Sequence, residues 1–550
     1  MKEKEDCINQ KKVLGLLFAL IATVFMFILV VSALPSDVYE TPGIINGGIY
    51  TITNTRSGKN LDIYNNGRFD NTSVIQFKAN STKNNQKFRI DYHGNGLYTI
   101  TAMNSLKLLT VQNAVNQDEV PVVIHSVSAT SASNGGQYEG QYFKIRANSD
   151  GTFTFLTMAS NYTKVLDVYS AVNNGQNNGE VLQQHTEIGT ANQRFRLTLC
   201  DTIGFETSTS TESTSVIYRI KNLYSGRYLD VYGATASSGT NVQTYTYHSG
   251  DSLKWTIRKA SDTKNGEYRL FTEIGNYGSF VLNVDSATNN CNISSTKNTQ
   301  SVFYIIRIND GSNKGLYYIK FGNQYLSQET GTSYNVKLTS SAGTNSLWSF
   351  EKVSDLSAVI FTNKYDTYST ENSGNEVKDA LDSISYPYTI YKNLGSSTAA
   401  VNYMNSSPAM AFHFGHGAAG RICFYQNSDT HENLYEDNIL DLQLNEYANI
   451  ACFISIGCSS GLPGGYGIRF PDAMYERGVS YALCFTESTY NETFFNNPNV
   501  SKWFKAFMTE AKKGKKIEEC VEAGNQALNG FFTDPYTYYA VGDDQQILIH

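Results

Sequence analysis

Asn192-Gln193-Arg194-Phe195 ends a phrase that the chain has already used twice, as Gln86-Lys87-Phe88 and as Gln141-Tyr142-Phe143. Each closure belongs to a stretch opened by an alternating aromatic run: Tyr50-Thr51-Ile52, Tyr98-Thr99-Ile100 and Phe153-Thr154-Phe155. The phrase returns roughly every 50 residues, a period at which one supersecondary unit is being reused. Inside each unit, short runs of period two are cut by Asn/Gly turns, so the units read as several short strands. One such unit cannot bury its apolar face alone, but three around a pseudo-threefold axis can. Residues 44–200 are therefore expected to form one all-β body.

Outward from this body, a Ser/Thr-rich stretch, Thr207 to Ser215, has too little apolar content to pack and reads as a solvated linker. A second, more degenerate copy spans residues 216–353. Its first unit keeps Leu229-Asp230-Val231 and Gln243-Thr244-Tyr245, but closes on Trp255 with Leu253-Lys254 in place of Gln-x and Ser252 in place of Asn. Its second and third units carry Asn283 and Ser327 at the Asp position.

These repeats resemble the ricin-type β-trefoil lectins, whose units combine a Leu-Asp-Val strand, a Gln-x-aromatic step and an Asn-Gln before the closing aromatic. The resemblance implies sugar binding. A carboxylate and amides pair with two vicinal hydroxyls while an aromatic ring covers the apolar face of the pyranose. Carried across, the third repeat is the most complete, with Asp167, Gln183, His185, Asn192 and Gln193. The first offers Asp62, Gln76, Asn85 and Gln86, with Phe77 and Lys78 both eligible for the stacking slot. The middle repeat has Thr110 for Asp and is expected to be structural. In the second copy Asp230, Gln243 and Tyr245 are the candidates, and a spacer that merely kept the fold is equally open. A scaffold that binds nothing would also retain Gln-x-Phe, so only the Asp and Asn-Gln positions speak for sugar.

From residue 356 to 550 strands alternate with helical runs, the pattern of an α/β sheet covered on both faces. Ala358–Thr362, Ala409–Phe414, Ile450–Ile456 and Val479–Phe485 read as strands, and Asn375–Ile384, Phe470–Arg477, Asn499–Lys513 and Ile517–Leu528 as helices. Reactive residues in such sheets sit in loops beyond the strand C-terminal ends. Two phrases occupy those loops: Phe412-His413-Phe414-Gly415-His416-Gly417 and Ile454-Ser455-Ile456-Gly457-Cys458-Ser459. With their separation of roughly 40 residues they resemble the caspase/gingipain/clostripain cysteine peptidases, including the CHAT branch. The resemblance implies a caspase-like fold, Cys458 as nucleophile and His416 as general acid/base. A thiol near pKa 8.5 needs such a neighbour to act at neutral pH. Gly417 and Gly457 would let backbone N–H groups approach the developing oxyanion. His413, in phase with Gly415 on its strand, reads as a structural neighbour. Asp472 and Glu487 are the only acidic residues offered for a specificity pocket.

The remaining signals concern address and partners. Lys11 and Lys12 precede an uncharged apolar run from Val13 to Val31, followed by Val31-Ser32-Ala33, so residues 1–33 read as a signal peptide or as an N-terminal membrane anchor. The eight cysteines form no disulfide framework: Cys7 lies in the targeting segment, Cys200 and Cys291 stand one in each repeat body, and five fall in the last domain. A net charge of −7 without any Lys/Arg-rich block argues against nucleic acid as a partner. No second Cys/His pair stands at ligand spacing beside His413 and His416, so neither metal nor cofactor is implied. The composite reading is a secreted or surface-anchored cysteine endopeptidase, with glycans and a protein or peptide substrate as partners. Its rivals are a non-catalytic adhesin and a glycoside hydrolase, the latter lacking a convincing carboxylate pair.

Overall fold

The computed structural model describes residues 41–549 except 132–134, 171–174, 202–215, 262–263, 276–277, 310, 354–356, 364–370, 395, 406–407, 428–429, 449, 458, 487–497 and 529–537. The leader segment and the 207–215 linker lie outside the described residues. Among those described, no helix is long and apolar enough to cross a membrane.

The repeated phrases build two bodies of twelve strands each. In the first, the opening strand Gly48–Asn54 closes the ring by pairing with the final strand Phe195–Asp201, Asn54 opposite Phe195. Phe88, Phe143 and Phe195, the last residue of each closure, are fully buried in one core with Leu61, Leu109 and Leu166. Burial of each such side chain stabilises by about 2 kcal/mol, which explains why the closing aromatic persists where the polar residues drift. The second body repeats the arrangement, Ile217–Asn222 pairing with Leu347–Lys352. Trp255 and Trp348 take the closing positions, and their indole N–H groups donate to the carbonyls of Leu229 and Leu326 at 3.0 and 2.9 Å. The threefold symmetry is explicit in a ring of amides. Asn241 donates to Asn335, Asn335 to Asn290 and Asn290 to Asn241, at 2.8–3.0 Å.

The last domain is a six-stranded sheet, in the order Tyr388–Lys392, Ala358–Thr362, Met410–Phe414, Cys452–Ser455, Tyr481–Phe485, Tyr538–Gly542. The first five are parallel and the last runs antiparallel. Because alternate residues leave opposite faces, the sheet carries two cores. Ile360, Phe412, Ile454 and Leu483 meet Val377, Trp503, Phe507 and Val521 on one side. Val359, Phe361, Phe453 and Ala482 meet Ala400, Met404, Ile439 and Met474 on the other. Helices therefore cover both faces. A separate three-stranded sheet, His416–Ala418, Arg421–Asn427 and Thr430–Tyr435, folds out from the end of Met410–Phe414.

The two β bodies are in contact with the last domain. Both pack on the last domain around the short helix Phe470–Glu476. Glu476 accepts from Arg89 of the first body at 2.7 Å, and the Tyr475 carbonyl accepts from Arg307 of the second at 2.7 Å. Arg477, fully buried, donates to the Met103 carbonyl at 2.9 Å. Charged groups are thus buried across the contact, Arg89 on the Glu476 carboxylate and Arg307 and Arg477 on backbone carbonyls.

Candidate functional site

In the first body the structure brings Asp62, Asn85 and Gln86 together. Asn85 Nδ2 donates to Asp62 Oδ1 at 2.9 Å and Gln86 Nε2 to Oδ2 at 2.8 Å. Burial raises the Asp62 pKa above its ordinary value, and the two amides only partly offset this. These residues line a cleft of about 600 Å³ together with Tyr64, Phe77, Asn80 and Lys83. Phe77 and Tyr64 expose 44% and 52% of their surface at this cleft.

Strand register distinguishes Phe77 from Lys78 and turns one candidate residue away from the cleft. Asp62 pairs with Ile75, Asp167 with Gln183 and Asp230 with Gln243. Phe77 thus occupies the place of His185 and Tyr245, while Lys78 lies beyond the strand. Gln76 corresponds to Gln184, not to Gln183. Fully buried, it accepts from Ser57 Oγ at 2.6 Å and donates to the carbonyls of Gly175 and Asn177 at 2.9 and 2.8 Å. Gln184 does the same towards Val115 and Gln117. Gln76 is a brace between repeats, facing away from the cleft, because a shift of one residue along a strand reverses the side chain's face.

At the third repeat Asp167 receives Gln183 Nε2 at 3.0 Å and Asn192 Nδ2 at 2.6 Å, and burial raises its pKa. Gln193 holds the neighbouring loop, donating to the Thr186 carbonyl at 2.9 Å and accepting from Ile188 N–H at 2.8 Å. His185, half-buried, stands at the aromatic position. In the middle repeat Thr110 turns its hydroxyl onto the Leu108 carbonyl, 2.9 Å away, and offers no carboxylate. In the second body Gln243 Nε2 donates to Asp230 Oδ2 at 2.9 Å, and Tyr245 is 47% exposed.

In the last domain, His416 and Gly457 follow adjacent parallel strands, Met410–Phe414 and Cys452–Ser455. The two loops touch: a Cβ placed on Gly457 would lie 2.9 Å from the His416 carbonyl oxygen and 3.0 Å from Gly417 Cα. Glycine is needed there for close approach. Cys458 itself lies outside the described residues. The Gly457 N–H donates to Ser455 Oγ at 3.2 Å, so it is already engaged and does not stand free for an oxyanion.

A brace that the sequence did not reveal runs beneath these loops. His413, fully buried, has Nε2 3.1 Å from the Cys423 carbonyl and Nδ1 2.9 Å from Ser455 Oγ. A carbonyl only accepts, so Nε2 carries the proton and the Ser455 hydroxyl donates to Nδ1. The chain Gly457 N–H, Ser455 O–H, His413, Cys423 thus ties the loop after one strand to the strand paired with His416, since Cys423 faces His416 across the side sheet. Burial lowers the His413 pKa to about 4, which keeps the ring neutral and the chain intact. Asp472 accepts from the Tyr539 hydroxyl at 2.8 Å and is committed to that contact, and Glu487 lies outside the described residues.

The sequence matches the family described as ricin-type beta-trefoil lectin domain-like over residues 41–125 and 191–294. Flavastacin of Elizabethkingia meningoseptica is 37% identical over 87 residues, 16% of this chain and 19% of flavastacin, so the chain spans about a fifth of that relative's length. Among solved structures, the designed three-fold symmetric protein ThreeFoil is 31% identical, covering 27% of this chain and 97% of its own, with a TM-score of 0.24. The Rhizoctonia solani agglutinin is 21% identical, covering 28% and 98% respectively, with a TM-score of 0.23. By the residues matched and by the threefold return of its strands, the N-terminal part of this chain carries a ricin B-type β-trefoil lectin domain.

Proposed function

We propose that the protein is a secreted or surface-anchored carbohydrate-binding cysteine endopeptidase, with a caspase-like last domain in which Cys458 is the nucleophile and His416 the general acid/base. The observation that supports it best is the meeting of the two loops, Gly457 against the His416–Gly417 backbone, at the C-terminal edge of neighbouring parallel strands. In the reaction the Cys458 thiolate adds to a peptide carbonyl. His416 protonates the departing amine, and water then hydrolyses the thioester with His416 taking its proton. Sugars held by Asp62 and Asp167 would fix the enzyme on glycosylated surfaces or glycoproteins.

The test is hydrolysis of a diverse fluorogenic peptide library by the full chain and by its Cys458→Ala and His416→Ala variants. Cleavage abolished in both supports the dyad. Absence of cleavage by the unaltered chain, with and without limited proteolysis, leaves a carbohydrate-binding adhesin whose last domain does no chemistry.

A further inference from the structure

Where the second β body meets the last domain, two acids are buried from opposite sides of the contact. Glu351 belongs to the closing strand Leu347–Lys352 of the second body, and Asp543 follows the edge strand Tyr538–Gly542 of the last domain. Each is 1% exposed. Ser349 and Glu351, two residues apart, leave the same face of their strand, and the Ser349 hydroxyl donates to Asp543 Oδ2. Asp543 Oδ1 accepts from the Gln545 backbone N–H at 3.0 Å. Glu351 Oε1 accepts from Lys221 Nζ at 3.3 Å, and the same ammonium reaches the Gln545 carbonyl at 3.5 Å. The backbones approach closely, since a Cβ on Gly315 of the second body would lie 2.3 Å from the Asp543 nitrogen.

The other charges around this contact are engaged elsewhere. Arg219, opposite Glu351 in the strand register, lays its guanidinium on the Tyr247 ring, 4.9 Å from the centroid. Lys516 donates to Gln545 Oε1 at 2.6 Å, while Gln545 Nε2 donates to Glu518 at 3.0 Å. Arg307 donates to the Tyr475 carbonyl at 2.7 Å. Tyr228 and Tyr317 face the acids as phenols that burial keeps neutral, and Asp544 adds a further negative charge beside Asp543. Burial pushes Asp543 up to about 6 and Glu351 up to about 7, with Lys221 only partly offsetting the effect at Glu351. Parted and hydrated, both carboxyls would titrate near 4. An acid whose pKa is higher in the contact than outside it takes up a proton as the contact forms. The stabilisation is therefore complete below about 4 and is lost as pH rises through about 6 to 7.

We propose that this contact is a proton-operated latch, in which Glu351 and Asp543 are protonated as the second β body closes on the last domain and their ionisation releases that body from the segment following Tyr538–Gly542. The Glu476 junction has the opposite sign, because its arginines favour the ionised carboxylate. One end of the interface is thus loosened by alkali while the other holds.

The test is hydrogen exchange of the full chain at pH 5 and pH 8.5, read by mass spectrometry and corrected for the intrinsic exchange rate. Peptides covering 347–352 and 543–549 report on the latch, and a peptide covering 88–92 reports on global loosening. In the unaltered chain the protection of the latch peptides is expected to fall at least tenfold at the higher pH, with the 88–92 peptide unchanged. Glu351→Gln and Asp543→Asn, whose amides stand in for the protonated acids, each lessen the fall, and the double variant abolishes it. Lys221→Met, which removes the cation and keeps both acids, deepens it. Equal protection of each variant and the unaltered chain at pH 5 verifies that the variants fold. The latch is overturned if protection in the unaltered chain does not change with pH, if all three peptides lose it together, if the double variant keeps the fall, or if Lys221→Met lessens it.

Discussion

Asp62 and Asp167 are buried carboxylates surrounded by neutral amides, and that environment sets how they meet a ligand. On the carbohydrate-binding reading they would accept from sugar hydroxyls, and burial makes them easier to protonate than a free Asp. Asp62→Asn/Asp167→Asn is expected to weaken glycan binding by the first body more than tenfold, or about 1.4 kcal/mol, measured by titration calorimetry. Binding there should also fall on acidification at a pH above the ordinary Asp range, because the bound form needs the carboxylate. Gln76→Ala should behave differently. It strips donors from two buried carbonyls, so it is expected to cost about 1–3 kcal/mol in thermal unfolding while glycan binding changes less. His413 has the same pH sign as a salt-bridged acid, although burial and not a charge partner depresses its pKa. Its folded pKa of about 4 lies below the unfolded value near 6.5, so the folded state resists protonation and stability declines as pH falls through that window.

The hairpin bearing His416 is positioned as an element. Gly420 N–H donates to the Leu462 carbonyl at 2.9 Å, which pins its turn to the loop that follows Gly457. Glu436 sits under this junction, where a Cβ on Gly420 or Gly464 would come within 2.6 Å of its carboxylate oxygens. Burial pushes the Glu436 pKa up to about 7, with Arg68, Arg421 and Asp437 as its charged neighbours. Ionisation of a buried acid disfavours the folded state, so this group's contribution is greatest at low pH and is lost as pH rises from about 4.5 to 7. Glu436→Gln is therefore expected to raise the unfolding temperature at pH 8 and to do so less at pH 5, by scanning calorimetry. Ser455→Ala interrupts the His413 brace. In the peptide-cleavage assay it should lower kcat by about 10–100-fold with glycan binding intact, as for a group that positions others.

At the scale of the whole molecule, the contact around Phe470–Glu476 makes the three bodies one unit. Burial alone would raise the Glu476 pKa, but Arg89, Arg307 and Lys314 hold it below its ordinary range. Removing that carboxylate leaves Arg89 buried beside Asp91 alone. Glu476→Ala is expected to cost about 3–5 kcal/mol and to split a single calorimetric transition into separate ones for lectin bodies and last domain. The first body also abuts the last domain beside its cleft. Asn84 donates to the Leu440 and Leu442 carbonyls at 3.0 and 2.8 Å, and Phe69 packs on Tyr466 with ring centroids 4.9 Å apart. A glycan in that cleft would lie at a fixed distance from the His416 hairpin, not at one set by a flexible tether.

Much of this was legible in the chain itself. Periodicity alone marked two threefold β bodies and an α/β domain, because a repeat that must bury one face imprints its period on the sequence. The helix Ile517–Leu528 was read to its ends, since its amphipathic stripe is local. The edge strand Tyr388–Lys392 and the side sheet escaped, because their residues alternate weakly and owe their shape to partners distant in sequence. The motif named Asp62 with Asn85 and Asp167 with Asn192, and the structure brings each pair together. Gln76 was misassigned because one residue of strand register, which only pairing determines, decides which face a side chain leaves. Ser455 and the Glu476 junction had no motif at all. They exist only where the fold sets a hydroxyl or a carboxylate against groups that the chain does not hold nearby.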